Sequence, residues 1–271
     1  MNAIEPLVSI ITPSFNQADY LEETIRSVLG QSYTQIEYII IDGGSSDGSL
    51  EIIQNYEDDL AVWISEPDMG QTDAINKGFA IANGHILGWL NSDDTYLPGA
   101  VSDAVRFLTE NPEVGMMYGK AYYIDENSER VALYPSAPTS HQKLRQGLNT
   151  VSQQASFFRS KVWQIVGPLD PDLYYAMDYD LWTRISAVTP IAFHARFMAN
   201  FRLQSASKSM TEANRCWPEM VRIHFRDGGS YFSILYLKYL IRRLVEPLMP
   251  FRIRYWRAKY WIKRKLGIDP G

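Results

Sequence analysis

The sequence predicts an α/β protein: a mostly parallel, Rossmann-like sheet with flanking helices, followed by a C-terminal basic helical extension. Two observations carry the sheet. Residues 7–111 alternate β-branched apolar runs with amphipathic helical spacing, and each run ends in a polar turn rich in Gly, Ser, Asn or Asp. The third observation is charge. Residues 231–271 hold ten Lys/Arg against Glu246 and Asp269, a local +8 in a chain of net charge −5, so the rest carries −13. An acidic body with a basic, aromatic tail faces two different kinds of partner.

The elements follow in order. Leu7–Thr12 is an apolar strand ending at Pro13, and Asp19 is placed to cap the next helix with Glu22 as its capping-box partner. Leu21, Ile25, Val28 and Leu29 share one face of that helix. Ile36–Asp42 reads as a strand covered on both faces, and the turn Gly43–Gly48 leads into helical spacing over Leu50–Tyr56. Ala61–Ser65 is a third strand, Thr72–Ala82 a helix stopped near Gly84, and Ile86–Leu90 a fourth strand. Pro98 suits the first turn of a helix running to about Asn111. Beyond it, Gly115–Ile124, Val131–Tyr134 and Ala155–Phe158 read as strands of a more irregular sheet, and Asp178–Val188 as a helix. Asp227-Gly228-Gly229 breaks the chain before the tail.

Composition excludes several classes. In 271 residues, 46% are hydrophobic and 21% charged, which is ordinary globular usage and not that of a disordered, collagenous or coiled-coil chain. No apolar run approaches the roughly 20 residues that span a bilayer. Met1–Pro6 lacks the basic flank and apolar stretch of a signal peptide. The single cysteine, Cys216, forms no internal disulfide, and no Cys/His spacing suggests a metal site. A cytoplasmic location is expected. Nucleic acid is not an expected partner, because no basic groove interrupts the acidic α/β part.

Ligands of parallel α/β sheets bind beyond the carboxyl ends of the strands. Polar residues collect at those ends, in Thr12–Asn16, Asp42–Asp47, Glu66–Gln71 and Asn91–Asp94. Adjacent carboxylates at Asp93 and Asp94 suit a hard cation bridging phosphates, or else a capped turn. Gly43–Gly48 matches neither dinucleotide nor P-loop fingerprints. His85, His141 and His194 have no partner at metal spacing.

Five motifs occur in order: Ile11-Thr-Pro-Ser-Phe-Asn16, Ile41-Asp-Gly-Gly-Ser-Ser-Asp47, Gly70-Gln-Thr-Asp-Ala-Ile-Asn-Lys-Gly78, Asn91-Ser-Asp-Asp94 and Met177-Asp-Tyr-Asp-Leu-Trp182. Together, over roughly residues 7–205, they resemble the family 2 nucleotide-sugar glycosyltransferases of GT-A fold. More narrowly, they resemble bacterial enzymes that build O-antigen, capsule or exopolysaccharide. The resemblance implies a metal-dependent, inverting transferase using Mn²⁺ or Mg²⁺. Its donor would be a nucleotide-diphosphate sugar, by default a UDP-sugar, and its acceptor a glycan or lipid-linked oligosaccharide. It implies donor contacts from Thr12, Asn16, Asp42, Asp73, Asn76, Asn91 and Asp93, and a metal site at Asp93 with Asp94. Asp178 would be the general base, although its place at a helix start also suits an N-cap. Asp180, Trp182 and Gln154 would line the acceptor side, with packing in the core the other reading of Trp182. Residues 1–228 would be the catalytic domain, with 1–111 binding donor and 112–228 acceptor. The tail, 229–271, would hold the enzyme at the inner face of the cytoplasmic membrane through an anionic surface contacted by residues 231–266. Packing on the domain or a homo-oligomer contact is the alternative role for the tail. A nucleotide-sugar-binding protein without transferase activity is the alternative function.

Four departures from the family pattern stand out. Gly43 replaces an Asp that contacts uracil in many members, and Asn91 replaces the first Asp of D-x-D. Met177 replaces a Glu, and Gln204 stands where many relatives carry a metal-reaching His. On the sequence alone, Asn91→Asp is expected to be tolerated.

Overall fold

The computed structural model describes residues 5–204 and 216–245. Strands β1 (Val8–Ser14), β2 (Ile36–Asp42), β3 (Val62–Ser65) and β4 (Ile86–Trp89) pair in parallel, as the alternating pattern predicts. Helices α1 (Ala18–Leu29), α2 (Ser49–Gln54) and α3 (Gln71–Ile81) make the crossovers. The sheet continues through β5 (Thr95–Tyr96), β6 (Met116–Ile124), β7 (Arg130–Leu133), β8 (Ser156–Arg159) and β9 (Ile191–Arg202). Its order is β3-β2-β1-β4-β8-β6-β9-β5, with β7 on β6. The sheet is mixed, because β8 runs antiparallel to both β4 and β6, and β5 antiparallel to β9. The irregular strands expected after Asn111 therefore extend the first sheet. Helices α4 (Ala100–Glu110), α5 (His141–Arg145), α6 (Ser160–Val166), α7 (Met177–Val188), α8 (Cys216–Arg226) and α9 (Ile234–Val245) complete the described fold.

Alternate residues of the central strands serve two cores. Val8, Ile10, Tyr38 and Ile40 pack with α1 and α4 on one face, while Ile11, Ile39 and Ile41 pack with α3 and α7 on the other. Gly78 lets α3 approach, since a Cβ there would stand 2.5 Å from Ile11 Cγ2. Pro13 continues β1 without costing a sheet bond. Leu90 N–H donates to the Ile11 carbonyl, and Pro13, two residues on, faces the same side past the last β1–β4 pair, Ile11–Trp89.

Two expected helix starts differ. Asp19 lies inside α1 and makes no cap; Gln17 is the cap residue. The Gln17 and Ala18 N–H groups donate instead to Ser49 Oγ (3.0 Å) and Asp47 Oδ2 (2.9 Å), across the sheet end. Pro98 precedes α4, whose cap position is Gly99 at φ +81°. Strand β9 is an addition to the expected elements: its His194, Arg196, Asn200 and Arg202 alternate with Phe193, Ala195, Phe197, Ala199 and Phe201, the period-two pattern of a strand.

Candidate active site

The ends of β1, β2 and β4 and the loop after β3 converge on a cleft of about 440 Å³. Ser14, Phe15 and Gln17 come from the first, Gly43 from the second, Asn91, Ser92 and Asp93 from β4, and Asp68, Gly70 and Gln71 from the loop. Tyr174, Phe201 and Gln204 close it from the second half of the chain. This is the crevice expected at the carboxyl edge of a parallel sheet.

Asn91 organises its floor. Its Oδ1 accepts from Gln71 Nε2 (2.8 Å) and Trp89 Nε1 (2.7 Å), and its Nδ2 donates to Asp94 Oδ2 (3.3 Å) and Gln153 Oε1 (3.2 Å). An amide supplies both donor and acceptor here, which a carboxylate does not. The expectation that Asp is tolerated at this position therefore fails on geometry.

Arg202 holds the adjoining loop. Its guanidinium is fully buried and donates to the carbonyls of Asp93 (2.9 Å) and Asp125 (3.0 Å), to Ser128 Oγ (3.0 Å) and to Glu23 Oε2 (2.5 Å). It also lies over the Tyr20 ring. Its backbone N–H donates to Asp94 Oδ1 (3.0 Å). Gln204 Nε2 donates to Asp93 Oδ2 (2.6 Å) and to Gln17 Oε1 (3.0 Å). Burial pushes the Asp93 carboxyl up, and burial together with the Asp93 charge pushes Asp94 well up. An amide hydrogen bond only partly offsets the desolvation of Asp93.

Asp178 occupies the first turn of α7, and its Oδ1 accepts from Tyr179 N–H (2.7 Å). Thr72 Oγ1, on the first turn of α3, donates to the Leu173 carbonyl (3.1 Å) and contacts Met177 Sδ (3.0 Å), so α7 is pinned one residue before Asp178. Glu219 of α8 accepts from the N–H groups of Tyr174 (3.1 Å), Tyr175 (2.8 Å) and Ala176 (2.8 Å). Burial raises the Asp178 carboxyl to about 6, and the nearby Glu219 charge adds to the effect. Tyr134 feels the charges of both Asp94 and Asp178, and its ring packs with Tyr123 and Phe201. Phe201 of this cluster lines the cleft, whereas Asp178 is not among the lining residues.

Of the sequence-predicted residues, Asn91 and Asp93 line the cleft. Several others turn away from it. Thr12 is buried against Tyr38 OH (3.1 Å). Asn16, at φ +51°, ties its loop to Ser46 N–H, and Asp42 accepts from Gly44, Ser45 and Ser65, so both shape the rim. Asp73 pairs with Lys77 and accepts from Met69 N–H. Asn76 is stapled to the Leu169 backbone through both amide atoms. Asp180 is fully buried between Arg184 (2.8 Å) and Arg226 (2.5 Å) and is not part of the cleft lining. Trp182 is core, edge-on to Phe158, and Gln154 is buried outside the cleft lining. These placements share one cause: a motif gives a loop, and burial decides which of its side chains face out. Phe15 and Asp68 lie inside loops the sequence marks without being singled out themselves; Tyr134, Tyr174, Phe201 and Glu219 lie outside the five motifs, and no local pattern marks them as site residues.

Among the described residues no group of three or more His, Cys, Asp or Glu can hold an ion by itself. Asp93 nevertheless fits a cation that arrives with phosphate, being an under-compensated carboxylate in the cleft. Asp94 does not fit, since both of its oxygens already accept hydrogen bonds and it is buried.

A mixed sheet of this order with a cleft at its strand ends is the GT-A type of transferase fold. S. aureus TarS 1–349 in complex with UDP-GlcNAc superposes with a TM-score of 0.66 at 16% identity, over 95% of this chain and 79% of that one. The mannosyltransferase PcManGT of Pyrobaculum calidifontis, in complex with GDP-Man and Mn²⁺, gives 0.64 at 18% identity, over 88% and 70%. A longer TarS chain is covered over 39% of its length. Residues 9–166 match Glycosyl transferase family 2, and the chain belongs to that family. An uncharacterized glycosyltransferase of Mycobacterium tuberculosis is 37% identical over 68% of this chain and 70% of its own. Another, of Rickettsia prowazekii, is 30% identical over 79% and 69%.

Proposed function

We propose that this glycosyltransferase moves a sugar, with inversion, from a nucleotide-diphosphate donor to a hydroxyl of a glycan or lipid-linked acceptor in bacterial surface polysaccharide synthesis. The observation that carries the reading is Asp93 in the cleft together with the cleft-lining helix α3, whose Thr72 contacts Met177, the residue before Asp178. Similarity to chains crystallised with UDP-GlcNAc and GDP-Man supports a nucleotide sugar, with UDP-sugar the default. The carboxylate of Asp178 takes the acceptor hydroxyl proton as that oxygen bonds the anomeric carbon. The bond from that carbon to the diphosphate breaks on the opposite face, which is single displacement. Mn²⁺ or Mg²⁺, when bound, supplies electrostatic stabilisation of the leaving diphosphate. Asp93 would hold it, with the remaining ligands from the donor.

In this reading residues 1–111 bind donor, 112–228 bind acceptor, and the tail from 229 places the enzyme at the cytoplasmic face of a membrane. The stretch 246–266 of the proposed membrane contact lies outside the described residues. The test is transfer from a panel of nucleotide sugars with Mn²⁺, with the anomeric configuration of the product read by NMR. Donor turnover with inverted product is expected; a retained configuration overturns single displacement. A second reading, donor binding without transfer, is favoured by the Gln204 amide already seated on Asp93. Nucleotide-sugar binding with neither hydrolysis nor transfer would establish it.

A further inference from the structure

We propose that the outward face of α9 is a docking face for an anionic lipid surface. This deepens the membrane part of the reading above and does not depend on the transfer chemistry.

Helix α9 packs with one side only. Leu235 is buried against Gly147, where a Cβ would stand 2.2 Å from Leu235 Cδ1, and the Tyr236 ring meets Phe225. Arg242 lies over Trp217 on the same side. On the opposite side Ile234, Leu237, Leu240, Ile241 and Leu244 are exposed, Leu244 by 75%. At 100° per residue they fill an arc of about 120° and a length of about 15 Å. Phe232, 98% exposed, stands at the near end. Apolar side chains on the solvent side of a helix already packed on its other side need a second partner.

Charge selects that partner. Lys238 and Arg243 are exposed and fall on the two flanks of the stripe, and no acidic residue occurs from Ser230 to Val245. The sequence beyond Val245 adds seven Lys/Arg against Glu246 and Asp269. Apolar side chains bordered on both sides by cations fit the boundary between headgroups and acyl chains of an anionic leaflet. A second copy of the same face would set these cations against one another. Among the described residues no helix is long and apolar enough to cross a membrane; with one side packed on the protein, α9 meets a lipid surface along its other side.

The placement relative to the site is direct. Helix α9 rests on α8, whose Glu219 holds the backbone of Tyr174–Ala176 ahead of Asp178 and whose Arg226 pairs with Asp180 on α7. A surface docked on α9 is two helices from the candidate base.

The experiment is flotation of the full chain with phosphatidylcholine vesicles, with and without phosphatidylglycerol, at low and high salt. The variants are Leu237→Ser/Ile241→Ser/Leu244→Ser and Lys238→Glu/Arg243→Glu, all at exposed positions. Wild type is expected to float with the anionic vesicles at low salt. The triple variant should lose about tenfold or more of that binding, and the charge variant its preference for anionic lipid. Thermal shift with nucleotide sugars is read in parallel to show that each variant folds. Wild type that stays down, or a triple variant that floats equally, overturns the proposal. A wild-type dimer that the triple variant loses, without flotation, assigns the face to a second copy and overturns it as well. If flotation fails while nucleotide sugars still stabilise the protein, the lipid face falls and the transferase reading stands.

Discussion

Asp178 and Asn91 show how one side chain is worth more than its motif. The Asp178 carboxyl is raised by burial to about 6 from an ordinary 3.8. The folded state therefore keeps a proton that the unfolded chain has lost, so this group's contribution to stability is full below about pH 4 and disappears as pH rises through about 6. As a base it must be ionised, and transfer should rise across the same window. Asp178→Asn is then expected to cut transfer by about 10²-fold or more while stabilising the protein above pH 7 by about 1–3 kcal/mol, some degrees in Tm. Transfer assays beside thermal melts at pH 5 and 8 check both halves; a melting loss at pH 8 would make the residue structural. Asn91→Asp, by contrast, removes the donor to Asp94 and Gln153 and puts a charge beside Asp94. It should destabilise by about 1–3 kcal/mol, read by urea denaturation, and more at pH 8 than at pH 5.

At the scale of elements, the start of α7 is held from two sides. Thr72 pins it to the cleft-lining helix α3, and Glu219 of α8 collects the three N–H groups that precede it. Glu219→Ala leaves those donors without their carboxylate and should cost about 1–3 kcal/mol by chemical denaturation. Glu219→Gln keeps an acceptor but removes a charge that raises Asp178. The acid limb of its pH–rate profile should move toward lower pH, an effect that mere loosening of α8 would not produce. An unmoved limb would show that Glu219 acts on the backbone alone.

For the whole molecule, the sheet brings two halves of the chain to one cleft, and electrostatics couples them. Arg202 of β9 grips the carbonyl of Asp93, and Gln204 its carboxylate, so this cleft acid is supported from the other half. Desolvation of the Asp93 charge outweighs the Gln204 amide and the Arg202 charge that favour it. Asp93→Asn should raise Tm of the free protein and abolish the additional stabilisation by nucleotide diphosphate with Mn²⁺. That stabilisation should itself reach about 2–3 kcal/mol at a hundredfold excess over Kd. Differential scanning fluorimetry with nucleotide, with and without Mn²⁺ and EDTA, reads both effects. Equal nucleotide stabilisation in EDTA would remove the cation from the site.

The sequence by itself determined the parallel half of the sheet and the loops that build the cleft. Both are local: β-branched runs such as Ile36–Asp42 specify strands, and parallel pairing sends every strand-end loop to the same edge. Ordered motifs then named the loops at Asn16, Asp42, Gly70 and Asn91. Tertiary structure alone decided which side chains face the cleft. Asp180 reads like Asp178 two residues away, but a helix turns about 200° between them, and Asp180 enters the core between Arg184 and Arg226. The cap of α1, the Glu219 clamp and the Arg202 grip also lay beyond a local reading. Their partners are separated by 29, by 43–45 and by 109 residues, and no periodicity encodes a bond at that distance.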